Sequence, residues 1–492
     1  MNVRANRTSL LALSVLILVS IGGGLALWTY SAGGPTGSSA VWPTTSEGAP
    51  CDDAIRTTDN GFVATPHGSS LTKTAAAGQD FGSFLSGLIS SNKTFCLARG
   101  DYPIAKTIRV AGQENVTIYL APGARMTTNY TIRMLQIVRS SSITVLGGAW
   151  VGPGGGNYAC IEVDLGSNNI TVKGADISRA GHDGILIRND TAPNLRISIV
   201  GNFLHDNGRY GAQDYEHSKY DSVKVLFSGN TVVDNSVGGI YTNGVGEAEI
   251  TSNTVRNTVD TTPGLIGIGV TNGENDTVTY NKVDHMFWYG IQAFYNNYTT
   301  ITNNYASFNA GGSDQSGITN DHSFFATISN NTVLSNGLSG IHVERSWFVS
   351  VKGNSANGNG RFGIEFYHAD MPVTSMAEVT GNTCSYNGLA GIILNSGIQT
   401  LISGNICLDN SNTGIFLYND QGQAGSSGNT ITHNIVGDDR NQSTARTQLF
   451  GIKEVNQADN NTIQANVLFG NVVANIIRSG GPSTVVSGNI EN

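Results

Sequence analysis

Gly340-Ile341-His342-Val343-Glu344 and, a few residues on, Val349-Ser350-Val351-Lys352-Gly353-Asn354 are the stretches on which the fold turns. Each alternates apolar and polar residues over four or five positions, which predicts a short strand with one buried face. The same pair of signatures recurs along the chain. Gly followed by Ile stands at Gly184, Gly239, Gly267, Gly290, Gly317, Gly340, Gly363, Gly391 and Gly414, with Gly211-Ala212 and Gly451-Ile452 as imperfect end members. An Asn after a short strand pattern stands at Asn202, Asn230, Asn253, Asn281, Asn303, Asn330, Asn354, Asn382, Asn405, Asn434, Asn466 and Asn489. Most steps in either series are 22–24 or 27–29 residues, and Val116-Thr117-Ile118, Ile143-Thr144-Val145 and Ile170-Thr171-Val172 carry the rhythm upstream in steps of 27. A helical repeat would show a 3.6-residue pattern, and a propeller blade would need about 40 residues or more. Three short strands per turn of an all-β coil fit the spacing.

Composition agrees. The 492 residues include 62 Gly and 51 Asn, both poor helix formers. Frequent Val and Ile with 8% aromatics argue against disorder. The net charge of -9 and the lack of a basic run argue against nucleic acid as the main partner.

With these repeats the chain resembles the right-handed parallel β-helices of the pectate-lyase-like superfamily, over roughly residues 96–489; no specific enzyme family is matched. The resemblance implies that the turn Asn residues stack as a ladder from coil to coil. It also implies that residues 81–91 form a short helix capping the first coil, and that Phe95-Cys96-Leu97-Ala98-Arg99-Gly100-Asp101-Tyr102-Pro103-Ile104 is the lead-in strand. The expected organisation is a signal peptide or single membrane anchor over 1–30, a Gly/Ser/Pro/Thr tether over 31–50, cap and first strands over 51–110, and the β-helix over 111–492.

Arg4 and Arg7 precede an apolar stretch at residues 10–28, so the remainder is expected outside the cell, anchored or secreted. Cys51 and Cys96 are the expected disulfide, while Cys384 and Cys407, one repeat apart, are either bonded or two small buried hydrophobes. Sequons at Asn92, Asn115, Asn129, Asn189, Asn275 and Asn297 are open to glycosylation there.

Aligned residues of a parallel coil stack about 4.8 Å apart, so the repeat defines columns. Residues one and three after each Gly should point inward, and those two and four after it outward, onto the strand that floors the sugar groove in related enzymes. The outward columns concentrate charge in three consecutive coils: Asp321 with His322, then His342, Glu344 and Arg345, then Glu365 with His368. Catalytic roles are expected for His342, Glu344, Glu365, His368 and Asp321. Asp321 and Glu344, one coil apart, either raise one pKa to make a proton donor or share a cation such as Ca²⁺ as its ligands. Arg345, Tyr367, Tyr241, Phe294, His322 and Tyr418 are the expected substrate contacts, Arg345 for a uronate carboxylate and the rings for sugar faces. The alternative is a solvated face with surface ion pairs.

Two further motifs stand upstream. Tyr210-Gly211-Ala212-Gln213-Asp214-Tyr215-Glu216-His217 resembles the Tyr-Gly-x-Asp-Pro-His motif of mannuronan C5-epimerases, without its Pro and with a longer Asp–His interval. Gly181-His182-Asp183-Gly184 resembles the Gly-His-Gly of polygalacturonases, whose Asp-Asp pair and Arg-Ile-Lys motif have no match. The expectation is an exported carbohydrate-active protein of lyase, epimerase or hydrolase type acting on an acidic polysaccharide. A non-catalytic adhesin or envelope component binding glycans is the alternative.

Overall fold

A computed structural model describes residues 44–46, 48, 50–59, 61–75, 78–188, 192–215, 222–258, 265–310, 315–367, 376–418, 425–440, 445–479 and 481–492. The leader, most of the tether and His368 lie outside the described residues. Among those described, no helix is long and apolar enough to cross a membrane.

The chain is a right-handed parallel β-solenoid. One representative coil runs Ser339–Glu344, Ser350–Lys352 and Ser355–Asn357, then returns one level up at Phe362–Tyr367. The first strand type stacks into a 15-stranded parallel sheet from Ile108–Ala111 to Ala474–Arg478. The expected inward positions are buried: Ile341, Val343, Ile364, Phe366, Ile392 and Leu394 are fully inaccessible. Each coil thus contributes a few aliphatic side chains to one continuous core.

Before the coils, Asp53–Thr58 and Gly61–Pro66 form an antiparallel pair, and the former also pairs in parallel with Lys93–Leu97. The helix Phe81–Leu88 begins at Asp80, whose carboxylate accepts the Ser83 N–H, and buries Phe81, Leu85 and Leu88 in the core beside Phe62 and Tyr102. Cys51 and Cys96 form a disulfide with a Cα–Cα distance of 5.7 Å. Cys384 and Cys407 are unbonded and fully buried in adjacent coils.

The Asn ladder runs through Asn202, Asn230, Asn253, Asn281, Asn304, Asn331, Asn354, Asn382, Asn405, Asn434, Asn466 and Asn489. Each side-chain N–H donates to the next side-chain oxygen at 2.9–3.0 Å. Two expected members are displaced by one residue, because Asn304 and Asn331, not Asn303 and Asn330, face inward. The reason is the turn: the residue before every ladder Asn has φ of 55–65°, and Asn303 and Asn330 occupy that left-handed position. Gly fills it in half the coils, where a Cβ would be strained.

A second ladder stands five residues on, through Asn309, Asn336, Asn359, Asn387 and Asn410, continued by Gln448 and Asn471. It went unread in the sequence although the five-residue offset is visible there.

Adjacent residues therefore test the register. Asn331→Ala removes the acceptor of the Asn304 backbone and side-chain N–H groups and the donor to the Ile301 carbonyl. It should destabilise by about 3 kcal/mol. Asn330→Ala, exposed and left-handed, should cost only about 1 kcal/mol. Thermal melts compared side by side should show the larger drop for Asn331→Ala; equal drops would refute the assignment.

Candidate functional site

The outward columns are in the expected register. Thr319, His342, Glu365, Ile393 and Phe416 align on successive strands, as do Phe294, Asp321, Glu344, Tyr367, Asn395 and Tyr418. Residues 23 apart in sequence are thereby brought about 4.8 Å apart, by backbone pairing alone.

At the centre, His342 is held between two carboxylates. Its Nδ1 lies 3.0 Å from Glu365 Oε2 and its Nε2 3.3 Å from Glu344 Oε2. Glu365 Oε2 also accepts the Ser339 hydroxyl, and Glu344 Oε1 lies 2.8 Å from Arg345 Nη1. Burial alone would lower the imidazole pKa, but the hydrogen bonds and charges of Glu344 and Glu365 outweigh it and raise it to about 10. The two glutamates are affected reciprocally. Burial pushes each up, and His342, with Arg345 at Glu344 and Ser339 and Arg361 at Glu365, brings each below the ordinary carboxylate range. The three form an ionised clamp at neutral pH.

Asp321, one coil below Glu344, is shifted the other way. Burial and the Glu344 charge raise its pKa, against His322 and Arg345. Its Oδ1 lies 2.6 Å from His322 Nδ1, and the His322 ring stacks on Tyr295 at 4.5 Å. Glu344 and Asp321 are thus neighbouring carboxylates whose proton affinities are driven apart.

Beside the clamp is a depression of about 400 Å³, lined by Tyr289, Ser339, His342, Arg361, Glu365 and Tyr367 among others. Arg361 packs over the Phe362 ring at 4.9 Å and is exposed, and it makes no ion pair among the described residues. Arg345, by contrast, is engaged with Glu344. Arg361 and Ser339 were not picked out from the sequence, because both precede the Gly from which the outward columns were counted. The available signal was Arg361-Phe362-Gly363, a charge directly before the strand in a charge-poor chain.

The other expected residues are spread along the sheet. Phe294 lies edge-on to His322, and Tyr367 is tilted 6.3 Å from His342. Tyr418 stands two coils above Tyr367, packed near Phe416. Tyr241 stands four coils below His342, stacked on Tyr210 at 5.0 Å. Among the described residues, no three His, Cys, Asp or Glu side chains are placed to hold a metal ion. Both Glu344 oxygens are taken by His342 and Arg345.

A family model described as a right handed beta helix region matches residues 183–356 and 316–490. The chain belongs to this family. No curated protein matches the sequence. Among solved structures, a double mutant of the periplasmic alginate epimerase AlgG is similar at 15% identity and a TM-score of 0.44, covering 61% of this β-helix chain and 73% of its own. The A-module of the mannuronan C-5 epimerase AlgE6 from Azotobacter vinelandii aligns at 14% identity and 0.38, covering 83% and 93%. PfbA, a surface adhesin of Streptococcus pneumoniae, aligns at 10% identity and 0.40, covering 60% and 86%.

The clamp makes a pH prediction. His342 is raised above its ordinary 6.5, so its contribution to stability is complete below that pH and is lost as pH rises through about 10. Glu344 and Glu365 fall below their ordinary 4.5, so theirs is present above that pH and lost in acid. Stabilisation by the cluster should peak between these two ordinary values. The melting temperature should decline between neutral pH and pH 10, and less steeply in His342→Gln; parallel declines would show that the clamp contributes nothing.

Proposed function

We propose that this exported β-helix protein hydrolyses glycosidic bonds of an acidic polysaccharide on the sheet face carrying Asp321, His342, Glu344 and Glu365. The observation that carries the reading is the pair of neighbouring carboxylates with opposed proton affinities, Asp321 raised and Glu344 lowered. Such a split supplies an acid and a base at one pH. Asp321 donates a proton to the leaving glycosidic oxygen, and ionised Glu344 faces the developing positive charge at the anomeric carbon. Asp321 and Glu344 are register partners on strands about 4.8 Å apart at the backbone, which suits the close carboxyl pair of a retaining glycosidase. Glu344 attacks the anomeric carbon as the bond to the protonated leaving oxygen breaks, and water deprotonated by Asp321 then cleaves the glycosyl–Glu344 ester, so configuration is retained.

Arg361, open to solvent at the rim, takes an acidic group of the substrate, bidentately if a carboxylate. Tyr367 and Phe294 offer ring faces to neighbouring sugars. His342 is a positioning residue: held protonated between two glutamates, it fixes both and cannot accept a proton from sugar carbon. That disfavours the lyase and epimerase versions, which need a base at that place. The arginines before the apolar stretch at 10–28 support a reading in which the solenoid lies outside the cell, anchored or released. The sequons are available there for glycosylation.

Incubation of the protein with uronate-containing polysaccharides, with and without Ca²⁺, tests this directly. New reducing ends without unsaturated-sugar absorbance are expected, with retained anomeric configuration by NMR. Asp321→Asn and Glu344→Gln should each lower kcat by at least about a hundredfold. Unsaturated products would replace hydrolysis by elimination. Tight glycan binding with no product of any kind would favour the adhesin alternative.

A further inference from the structure

Arg361 has a structural counterpart six coils away. Arg209-Tyr210-Gly211 repeats Arg361-Phe362-Gly363, and each guanidinium packs over the following ring, at 5.5 Å and 4.9 Å. Backbone hydrogen bonds, together with the pairing of Ile291 with Ile318, put both in one column at the leading edge of the 15-stranded sheet. It runs from Arg209 through Val237, Leu265 and Trp288, and from Gln315 through Leu338 to Arg361. Six steps of about 4.8 Å separate the arginines by about 29 Å, and Trp288 stands midway. Between the charges, Val237, Leu265, Trp288 and Leu338 are all half-buried, an apolar strip interrupted by Gln315.

The surroundings of Arg209 prepare it for an anion. Its Nη1 lies 2.7 Å from His182 Nε2, its single side-chain hydrogen bond among the described residues. Arginine can only donate, so His182 Nε2 accepts and its Nδ1–H donates to Asp183 Oδ2 at 2.7 Å. Asp183 is fully buried and also accepts the Tyr210 backbone N–H. Asp183 fixes the ring and the ring fixes the guanidinium, whose remaining N–H groups are left for a ligand. No carboxylate among the described residues forms an ion pair with it. The Gly181-His182-Asp183-Gly184 motif, which the hydrolytic site does not use, acquires a role here.

We propose that Arg209 and Arg361 are the two ends of one binding track, which holds an extended polyanionic glycan along the sheet edge with a sugar ring against Trp288. This rests on the glycan-hydrolysing reading and adds to it: the substrate is a polymer long enough to span six coils, carrying carboxylate or sulfate groups, and short oligomers reach only the Arg361 end. A chain held at both ends gains affinity through effective concentration, in addition to what the Trp288 contact supplies.

The test is fluorescence anisotropy on the full chain, in the cold to limit cleavage. The probes are labelled polygalacturonate, alginate, hyaluronate and dextran sulfate, each as polymer and as trimer. The wild type should bind at least one polymer more tightly than its trimer. Arg209→Gln should weaken that polymer about tenfold and erase its advantage, the loss expected for one charge-assisted contact. Its affinity for the trimer should change less than twofold, whereas Arg361→Gln should weaken both. Arg209→Lys, which keeps the charge, should recover part of the loss and guard against misfolding. Uronate polymers and dextran sulfate distinguish carboxylate from sulfate as the anion. Polymer binding that ignores Arg209, or no advantage of polymer over trimer, would overturn the track and leave the hydrolytic site standing. A wild type that binds none of the four and releases no product would overturn both.

Discussion

The structure depends on one hydrogen bond repeated from coil to coil: a buried Asn amide donating to the Asn above it. A coil of short strands must turn three times, and at each turn backbone N–H and C=O groups leave the sheet while facing the interior. An Asn side chain has both a donor and an acceptor, so one residue type can satisfy the turn beneath it and pass the same problem upward. Asn354 shows this, donating to Ile328 O and Asn382 Oδ1 while its own Oδ1 receives Asn331. An Ala there would strand groups on two coils. The left-handed residue before each ladder Asn is the geometric counterpart, turning the chain so that the amide points in.

A rigid register has a consequence for chemistry. Because pairing is fixed, an outward side chain acquires a neighbour about 4.8 Å away without any loop having to deliver it. His342 meets Glu365 because residues 341 and 364 pair, and Asp321 meets Glu344 for the same reason. Carboxylates at that spacing repel unless cations intervene. His342 and Arg345 do so on the upper side, while Asp321 is left to take the higher proton affinity. The difference between the acids follows from where the cations stand in the columns.

These relations explain what the sequence could and could not disclose. Period, inward and outward faces and the charged coils were legible because a two-residue strand alternation and a 23–28-residue repeat are both one-dimensional. The position of the ladder at Asn303-Asn304 and Asn330-Asn331 was not, since two adjacent Asn residues differ only in which takes the left-handed φ. Nor was the protonation of His342. An isolated His suggests a base, and only the position of Glu344 and Glu365 on either side of the ring makes it an imidazolium. Arg361 and Arg209 escaped notice because they precede the Gly-Ile signature. Their significance lies in a column that becomes visible once Val237, Leu265, Trp288 and Leu338 are aligned through the backbone.

The same columns tie the edge of the sheet to the clamp. Arg361 is among the groups that lower the Glu365 carboxyl, and Glu365 in turn holds His342 protonated. Glu344 shares that imidazole, so an edge arginine, one imidazolium and two ionised glutamates form a single connected set facing Asp321. The charge state of each member follows from its neighbours in the column, not from its residue type alone.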